Sequence, residues 1–376
     1  MMAYIDTHVH LRDFNQQYKE TIKHGLEVAR DSGVDAVFDM PNTDPPILTR
    51  EVVEGRLRKA DEAGVPEVFY GVYIGATKDR EQLKLAVETY RYFFPRVVGI
   101  KLYAGHSVGN LGVVSERDQF NVYQTLACEG YTGLLAVHCE KESALDSRLW
   151  NPLHALTHCL ARPEEAEVES VKDQLRFVRE TGFRGKLHIA HISSPKAVEL
   201  VTLAKEEGMN VSSAICPHHF IYDWQQMNVQ GREYEGVGRK VVDGERIEDR
   251  GLLWKMNPPL RSPKSRAKVL EYLREGKIDW IETDHAPHTL PDKMSHPFMS
   301  GVPGLAWWPL FEEYLRSQNF SDNLIEKLTF TNAQERLGVD VSRSVRRIRD
   351  RRQEYAFDPY AQLEHLIERK YVAEEK

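Results

Sequence analysis

A chain of 376 residues with 41% hydrophobic and 28% charged side chains can bury one large core beneath an ordinary polar surface. Its formal net charge of −7 leaves no basic excess, which argues against a nucleic-acid groove or an anionic membrane as partner. Cys128, Cys139, Cys159 and Cys216 form no C-x-x-C pair, so the cysteines suggest neither a thiol zinc site nor a disulfide framework and fit a reducing cytoplasm.

No charged-then-apolar leader opens the chain, and no stretch approaches the roughly 20 apolar residues of a membrane helix. Short β-rich runs then alternate with segments of helical period. Strands are expected over Ala3–His10, Asp35–Met40, Glu67–Ile74, Val97–Tyr103, Leu134–Cys139, Lys186–Ile192, Asn210–Ile215 and Asp279–Asp284. Helices are expected over Gln17–Ser32, Arg50–Ala63, Asp79–Phe94, Glu116–Glu129, Pro163–Thr181, Pro195–Glu207 and Lys264–Glu275. Eight strands alternating with helices imply parallel βαβ units, and an α/β fold of the (β/α)8 TIM-barrel class. An open doubly wound sheet would want a Gly-rich phosphate turn after an early strand, and the first strand instead ends in His-Val-His-Leu-Arg.

Two regions depart from a plain barrel. The seventh βα loop runs from Cys216 to about Pro263 and carries Gly231, Gly236, Gly238 and Gly244 among many charges, a length typical of lids or disordered segments. The chain from Val339 onward is rich in Arg and Glu, with Arg346-Arg347-Ile348-Arg349-Asp350-Arg351-Arg352, and reads as a solvated terminal helix. The expected organisation is a barrel over 1–338 and a charged helical extension over 339–376, packed on the barrel or trailing from it.

His8 and His10 stand two apart at the end of the first strand, so both side chains face one side, where neutral imidazoles can share a metal. Alone, an H-x-H is a weak signal. It gains weight because His138 closes the fifth predicted strand, His191 the sixth and Asp284 the eighth, all at the end that forms a barrel's catalytic mouth. A wholly structural reading would bury several ionisable groups without partners. Lys101, near the end of the fourth strand, is open to two readings. A buried lysine tends to lose its charge and can then take up CO₂ as a metal-bridging carbamate, or it can pair with Asp284 or a substrate anion.

These residues resemble the amidohydrolase superfamily and, within it, the dihydroorotases. The resemblance rests on Asp6-Thr7-His8-Val9-His10-Leu11-Arg12, Met40-Pro41-Asn42-Thr43, Gly99-Ile100-Lys101-Leu102-Tyr103, His138-Cys139-Glu140 and His191-Ile192-Ser193-Ser194. It continues through Pro217-His218-His219, Asn257-Pro258-Pro259-Leu260-Arg261, Thr283-Asp284-His285-Ala286-Pro287-His288 and Gly301-Val302-Pro303-Gly304. It implies that His8 and His10 hold one divalent metal, His138 and His191 a second, and N-carboxylated Lys101 bridges them. Asp284 would be both ligand and catalytic base, while Arg12, Asn42, Asn257 and His288 would bind a substrate carboxylate and ring. Zn²⁺ suits the ligand set best, with Mn²⁺ or Co²⁺ able to substitute.

The implied reaction is reversible hydrolysis of the cyclic amide of (S)-dihydroorotate to N-carbamoyl-L-aspartate by a metal-bridging hydroxide, in de novo pyrimidine synthesis. The implied partner is an anionic small molecule, with a homodimer and an association with aspartate carbamoyltransferase as family expectations. Two departures stand out. The H-x-H comes almost at residue one, so the resemblance implies a lysine-bearing barrel lacking the N-terminal part of the family's small β-domain. Leu305-Ala306 also stands where many relatives have a Glu shortly after the Gly-x-x-Gly segment. The rivals are a hydantoinase or allantoinase, which would need no carboxylate clamp at Arg12, and an inactive barrel that serves another enzyme. Residue by residue, Arg12 can also be read as a loop salt bridge and Asn42 as a turn cap beside Pro41.

Overall fold

The computed structural model describes residues 3–106, 111–227, 240–242, 245–247, 250–344 and 348–374. Seven strands open the fold: β1 (Tyr4–Val9), β2 (Val34–Asp39), β3 (Phe69–Gly75), β4 (Val97–Ala104), β5 (Leu134–Cys139), β6 (Lys186–Ile189) and β7 (Val211–Ile215). A two-stranded hairpin, β8 (Lys240–Val242) and β9 (Glu245–Ile247), lies in the long seventh loop, and β10 (Trp280–Ile281) is the eighth barrel strand. The barrel strands run parallel in the order β1-β2-β3-β4-β5-β6-β7-β10. The circle is closed by one parallel bridge between Val9 and His285, with the His10 N–H donating to the His285 carbonyl at 2.8 Å. The expected (β/α)8 class is therefore what the chain adopts.

The strands read as continuous apolar runs because both faces are covered. Every residue of β4 is buried, Lys101 included. Helices follow the strands and begin where a short polar side chain can accept an orphan backbone N–H: Thr21 from His24, Thr49 from Val52, Ser115 from Asp118 and Ser262 from Ser265. Their apolar faces and the outer faces of the strands form the main core. A second buried cluster joins Ile5, Phe38, Tyr73 and Trp280 to Phe330, Ala333 and Leu337 of the later helices.

Several boundaries differ from expectation for local reasons. The first helix begins at Ile22, not Gln17, because residues 14–16 form a 3-10 turn and Thr21 supplies the cap. β6 stops at Ile189 and β10 at Ile281, short of His191 and Asp284, which take left-handed φ values of 37° and 49° that no strand continues through. Gly231, Gly236, Gly238 and Gly244 of the seventh loop lie outside the described residues, as do Arg346 and Arg347.

The tail is not one solvated helix. Residues 348–351 run irregularly, Arg352–Glu354 form a 3-10 turn, and helix returns only over Leu363–Glu374. Some of its polar groups bond to the barrel. The Arg351 Nε donates to Asp31 at 2.7 Å, the Tyr355 hydroxyl to Glu20 at 3.0 Å, and the Trp307 Nε1 to Asp358 at 2.9 Å. Tyr360 is fully buried and packs edge-on against Phe311.

Candidate active site

β1 and the segment after β10 bring His8, His10 and Asp284 together, with one ligand atom from each lying within 4.8 Å of the others. Asp284 Oδ1 lies 2.9 Å from His10 Nε2 and 3.3 Å from His8 Nε2. Burial, and then the charge of Lys101, lowers His8 to about 4, while burial and Arg12 hold His10 well below the ordinary imidazole range. Both rings are therefore neutral at pH 7 and keep a lone pair for a metal. Burial raises Asp284 above the usual carboxylate value, against the pull of His8 and Lys101.

Glu282, which sequence reading passed over, lies beneath this group and is almost wholly buried. One of its oxygens lies 3.3 Å from His8 Nδ1 and accepts the His191 backbone N–H at 2.8 Å. The other accepts the Thr7 hydroxyl at 2.6 Å.

His138 and His191 form the second group, with His138 Nδ1 at 3.1 Å from His191 Nε2. The two groups adjoin, since the His8 and His191 ring centroids are 5.2 Å apart. His138 Nε2 faces Glu140 at 3.0 Å, and Glu140 is gripped by Arg162 through two hydrogen bonds of 3.0 and 2.5 Å. Glu140 and Arg162 were also missed as site residues. Glu140 stood in a matched segment, but its partner is 22 residues further on.

Lys101 is fully buried, and its amine has no hydrogen-bond partner. Burial lowers it to about 8, with Glu282 and Asp284 opposing. Among the described residues no ion pair to Lys101 forms.

The cleft above these groups has a volume of about 120 Å³, and Arg12, Asn42, Asn257 and His288 all line it. Arg12 is 5% exposed, pairs with no carboxylate among the described residues, and its Nε lacks a partner. The Asn42 side-chain oxygen is likewise buried and unpartnered. Asn257 Oδ1 lies 3.0 Å from His158 Nε2, which leaves the Asn257 amide hydrogens for a ligand. His288 is fully engaged: Nδ1 lies 3.2 Å from the Lys19 amine, and Nε2 lies 3.0 Å from the Ser300 carbonyl. Lys19 can only donate and Ser300 can only accept, so Nε2 carries the proton. The 3.1 Å approach of Arg12 to Nε2 is then a packing contact, and the guanidinium keeps its donors.

Other lining residues were not foreseen, among them Gln16, Tyr103 and Gly301. Gly301 has φ +132°, and a Cβ there would sit 2.6 Å from that of Ala286 and 2.9 Å from the Ala286 carbonyl, so only glycine fits. His285 anchors this wall by accepting the N–H groups of Gly304 and Leu305 at Nδ1 and facing Glu20 at 2.9 Å from Nε2. The Leu305 side chain, at the departure noted above, is fully buried.

The donor set fits divalent metals: four imidazoles, a carboxylate and an unpartnered buried amine, with His10 Nδ1, His191 Nδ1 and Lys101 Nζ all buried without partners. Cys216, His218 and His219 make a second tight trio. There, however, His218 Nδ1 contacts the Tyr360 hydroxyl, His219 Nε2 contacts the Pro258 carbonyl, and burial pushes the Cys216 thiol far up. That trio reads as packing that joins the end of β7 to the tail and to the segment after Asn257.

The chain is a parallel eight-stranded barrel with histidines and an aspartate at its strand ends. The structural comparison shows the same fold. The L-hydantoinase (dihydropyrimidinase) of Arthrobacter aurescens superposes with a TM-score of 0.75 at 22% identity, covering 90% of this chain and 71% of that one. In sequence the chain is similar to dihydroorotases. It is 34% identical to the dihydroorotase of Brevibacillus brevis strain 47 over 77% of its length, and 33% identical to that of Aeropyrum pernix over 82%. The chain spans 61% and 62% of those two relatives. No family model matches it. Among the described residues no helix is long and apolar enough to cross a membrane.

Proposed function

We propose that the chain is a dihydroorotase, interconverting (S)-dihydroorotate and N-carbamoyl-L-aspartate. The observation that carries this reading is Arg12: a buried guanidinium with no carboxylate partner among the described residues, on the wall of the cleft that holds the metal-ligating groups. Burying a cation in this way is costly unless a ligand anion completes it. The dihydroorotate carboxylate does so, whereas a neutral hydantoin does not.

His8, His10 and Asp284 would hold one divalent ion and His138 and His191 a second, with Lys101, N-carboxylated, between them; Zn²⁺ is the preferred ion. When bound, such ions supply Lewis acidity toward a carbonyl and lower the pKa of water toward neutrality. The chain's own residues do the rest. Arg12 orients the substrate carboxylate with a planar fork of donors. The Asn42 oxygen and the Asn257 amide hydrogens offer one acceptor and two donors to the ring. His288 braces the Arg12 end of the cleft. Asp284 takes a proton at the attacking face and returns it to the ring nitrogen as the amide bond breaks. Residues 1–338 constitute this barrel, and residues 339–376 are an extension tied to its outside.

The test is a dihydroorotate hydrolysis and ring-closure assay on the isolated, metal-loaded chain, with metal content measured and with hydantoin and allantoin as competing substrates. Turnover of dihydroorotate above both supports the proposal. Preference for hydantoin would transfer the chain to the rival class, and metal loading with no turnover of any of the three would leave a barrel that serves a partner.

A further inference from the structure

Glu282 is a carboxylate below the cleft that no catalytic step requires. It is 1% exposed and does not line the cleft. It is nevertheless the point at which three barrel strands meet: it contacts Thr7 and His8 of β1, the backbone of His191 just beyond β6, and lies on the segment leaving β10. His188 of β6 approaches it to 3.7 Å.

A carboxylate oxygen can only accept, so at the 3.3 Å contact His8 Nδ1 is the donor. This orients the ring with Nε2 toward Asp284 Oδ1, 3.3 Å away, as a carboxylate behind a ligating histidine would. The same Glu282 oxygen accepts the His191 N–H at 2.8 Å, and His191 has a φ of 37° that a side chain of its size rarely adopts. Glu282 therefore holds a ring on one side and a strained backbone on the other.

We propose that Glu282 is the positioning residue of the metal centre: it sets the tautomer of His8 and pins the backbone of His191, and so keeps the two histidine groups in register. The proposal rests on the metal-dependent reading above, and its test is chosen so that the two can fail separately.

The first measurement uses metal-free protein. Histidine ¹⁵N–¹H correlation spectra of the wild-type chain are expected to show His8 protonated at Nδ1, with Glu282→Leu, which has no acceptor, shifting it toward the Nε2–H form. A wild-type His8 protonated at Nε2 overturns the proposal, whatever the metal chemistry. The second is competition with a chromogenic chelator for Zn²⁺. Glu282→Gln is expected to weaken binding about 10- to 100-fold, the range for loss of a carboxylate behind a ligating histidine, with the melting temperature of the metal-free protein nearly unchanged. Wild-type affinity in the variant, or a loss of affinity that only tracks a collapse in metal-free stability, overturns it. If Glu282→Gln does not fold, Glu282→Asp keeps the charge and withdraws the oxygen from His8, and the same two readouts decide. A wild-type chain with the Nδ1–H tautomer that binds no metal would refute the metal-dependent reading and leave the tautomer assignment standing.

Discussion

Arg56 donates to the backbone carbonyl of Arg12 at 2.9 Å while its other terminal nitrogen pairs with Asp39. Both partners of that ion pair are fully buried, and Tyr70 adds a 2.8 Å bond to the same carboxylate. Asp39 also accepts the Leu11 N–H at 3.0 Å. The pair therefore fixes the turn on which Arg12 stands, at a φ of 37°. Removing one member of a buried pair strands the other, so Arg56→Ala should destabilise the fold by about 3–5 kcal/mol. Chemical denaturation of the metal-free protein reads this, and a loss below about 1 kcal/mol would show that Asp39 finds another partner.

Arg12→Ala should leave the fold intact and raise KM for dihydroorotate about 10- to 100-fold, the worth of one or two charge-assisted hydrogen bonds. The change in KM for hydantoin, if it is turned over at all, should be much smaller. Equal effects on both substrates would remove Arg12 from carboxylate recognition.

Asp284→Ala should lower turnover by at least about 100-fold, the contribution of a positioned base, with an unchanged circular dichroism spectrum. Wild-type turnover in that variant would eliminate the base assignment.

Lys101 should carry an added carboxyl group in metal-loaded protein prepared with bicarbonate. Intact-mass measurement under non-denaturing conditions should find it, and Lys101→Met should lack it. An unmodified mass in fully loaded, active protein would restore the reading of Lys101 as a simple cation.

Away from the site, His24 links the first helix to the tail by facing Glu20 at 3.0 Å and Glu354 at 2.9 Å, with the Tyr355 ring alongside. Its pKa is raised above the ordinary 6.5, chiefly by the hydrogen bond to Glu20. Glu20 itself is held near 2, with burial opposing and His285 leading the effects that lower it, so it stays charged throughout this range. A raised folded value means that the stabilisation is fully present below 6.5 and is lost as pH rises through the folded value. The melting-temperature gap between wild type and His24→Gln should be widest at about pH 5.5 and shrink toward pH 8.5. A gap that does not depend on pH would mean that the link is not ionic.

The strand-end histidines were legible because local pattern suffices: a β-rich run, an imidazole at its end, and the same arrangement several times over. What could not be read were the partners that buried groups choose across the barrel. Glu282 reaches His8 over a sequence separation of 274, and Glu20 reaches His285 over 265. Neither leaves a trace in local periodicity. The left-handed turns at His191 and Asp284 were hidden too, since β-branched neighbours predict continued strand. The contacts of the tail were out of reach as well, since its arginines look like a surface run until Asp31 of the first helix is placed beside Arg351.

The seam of the barrel gives the metal centre a second meaning. His8 and His10 lie on one side of the bridge between Val9 and His285, and Asp284 lies on the other. The two sides are separated by more than 270 residues of sequence. An ion held by all three residues would act as a clasp on the closed circle. If it binds the finished barrel and not the open chain, its occupancy would add to the cost of unzipping the first strand from the last. Metal loading of the proposed centre would then be read out as mechanical security of a seam that the bridge alone already closes.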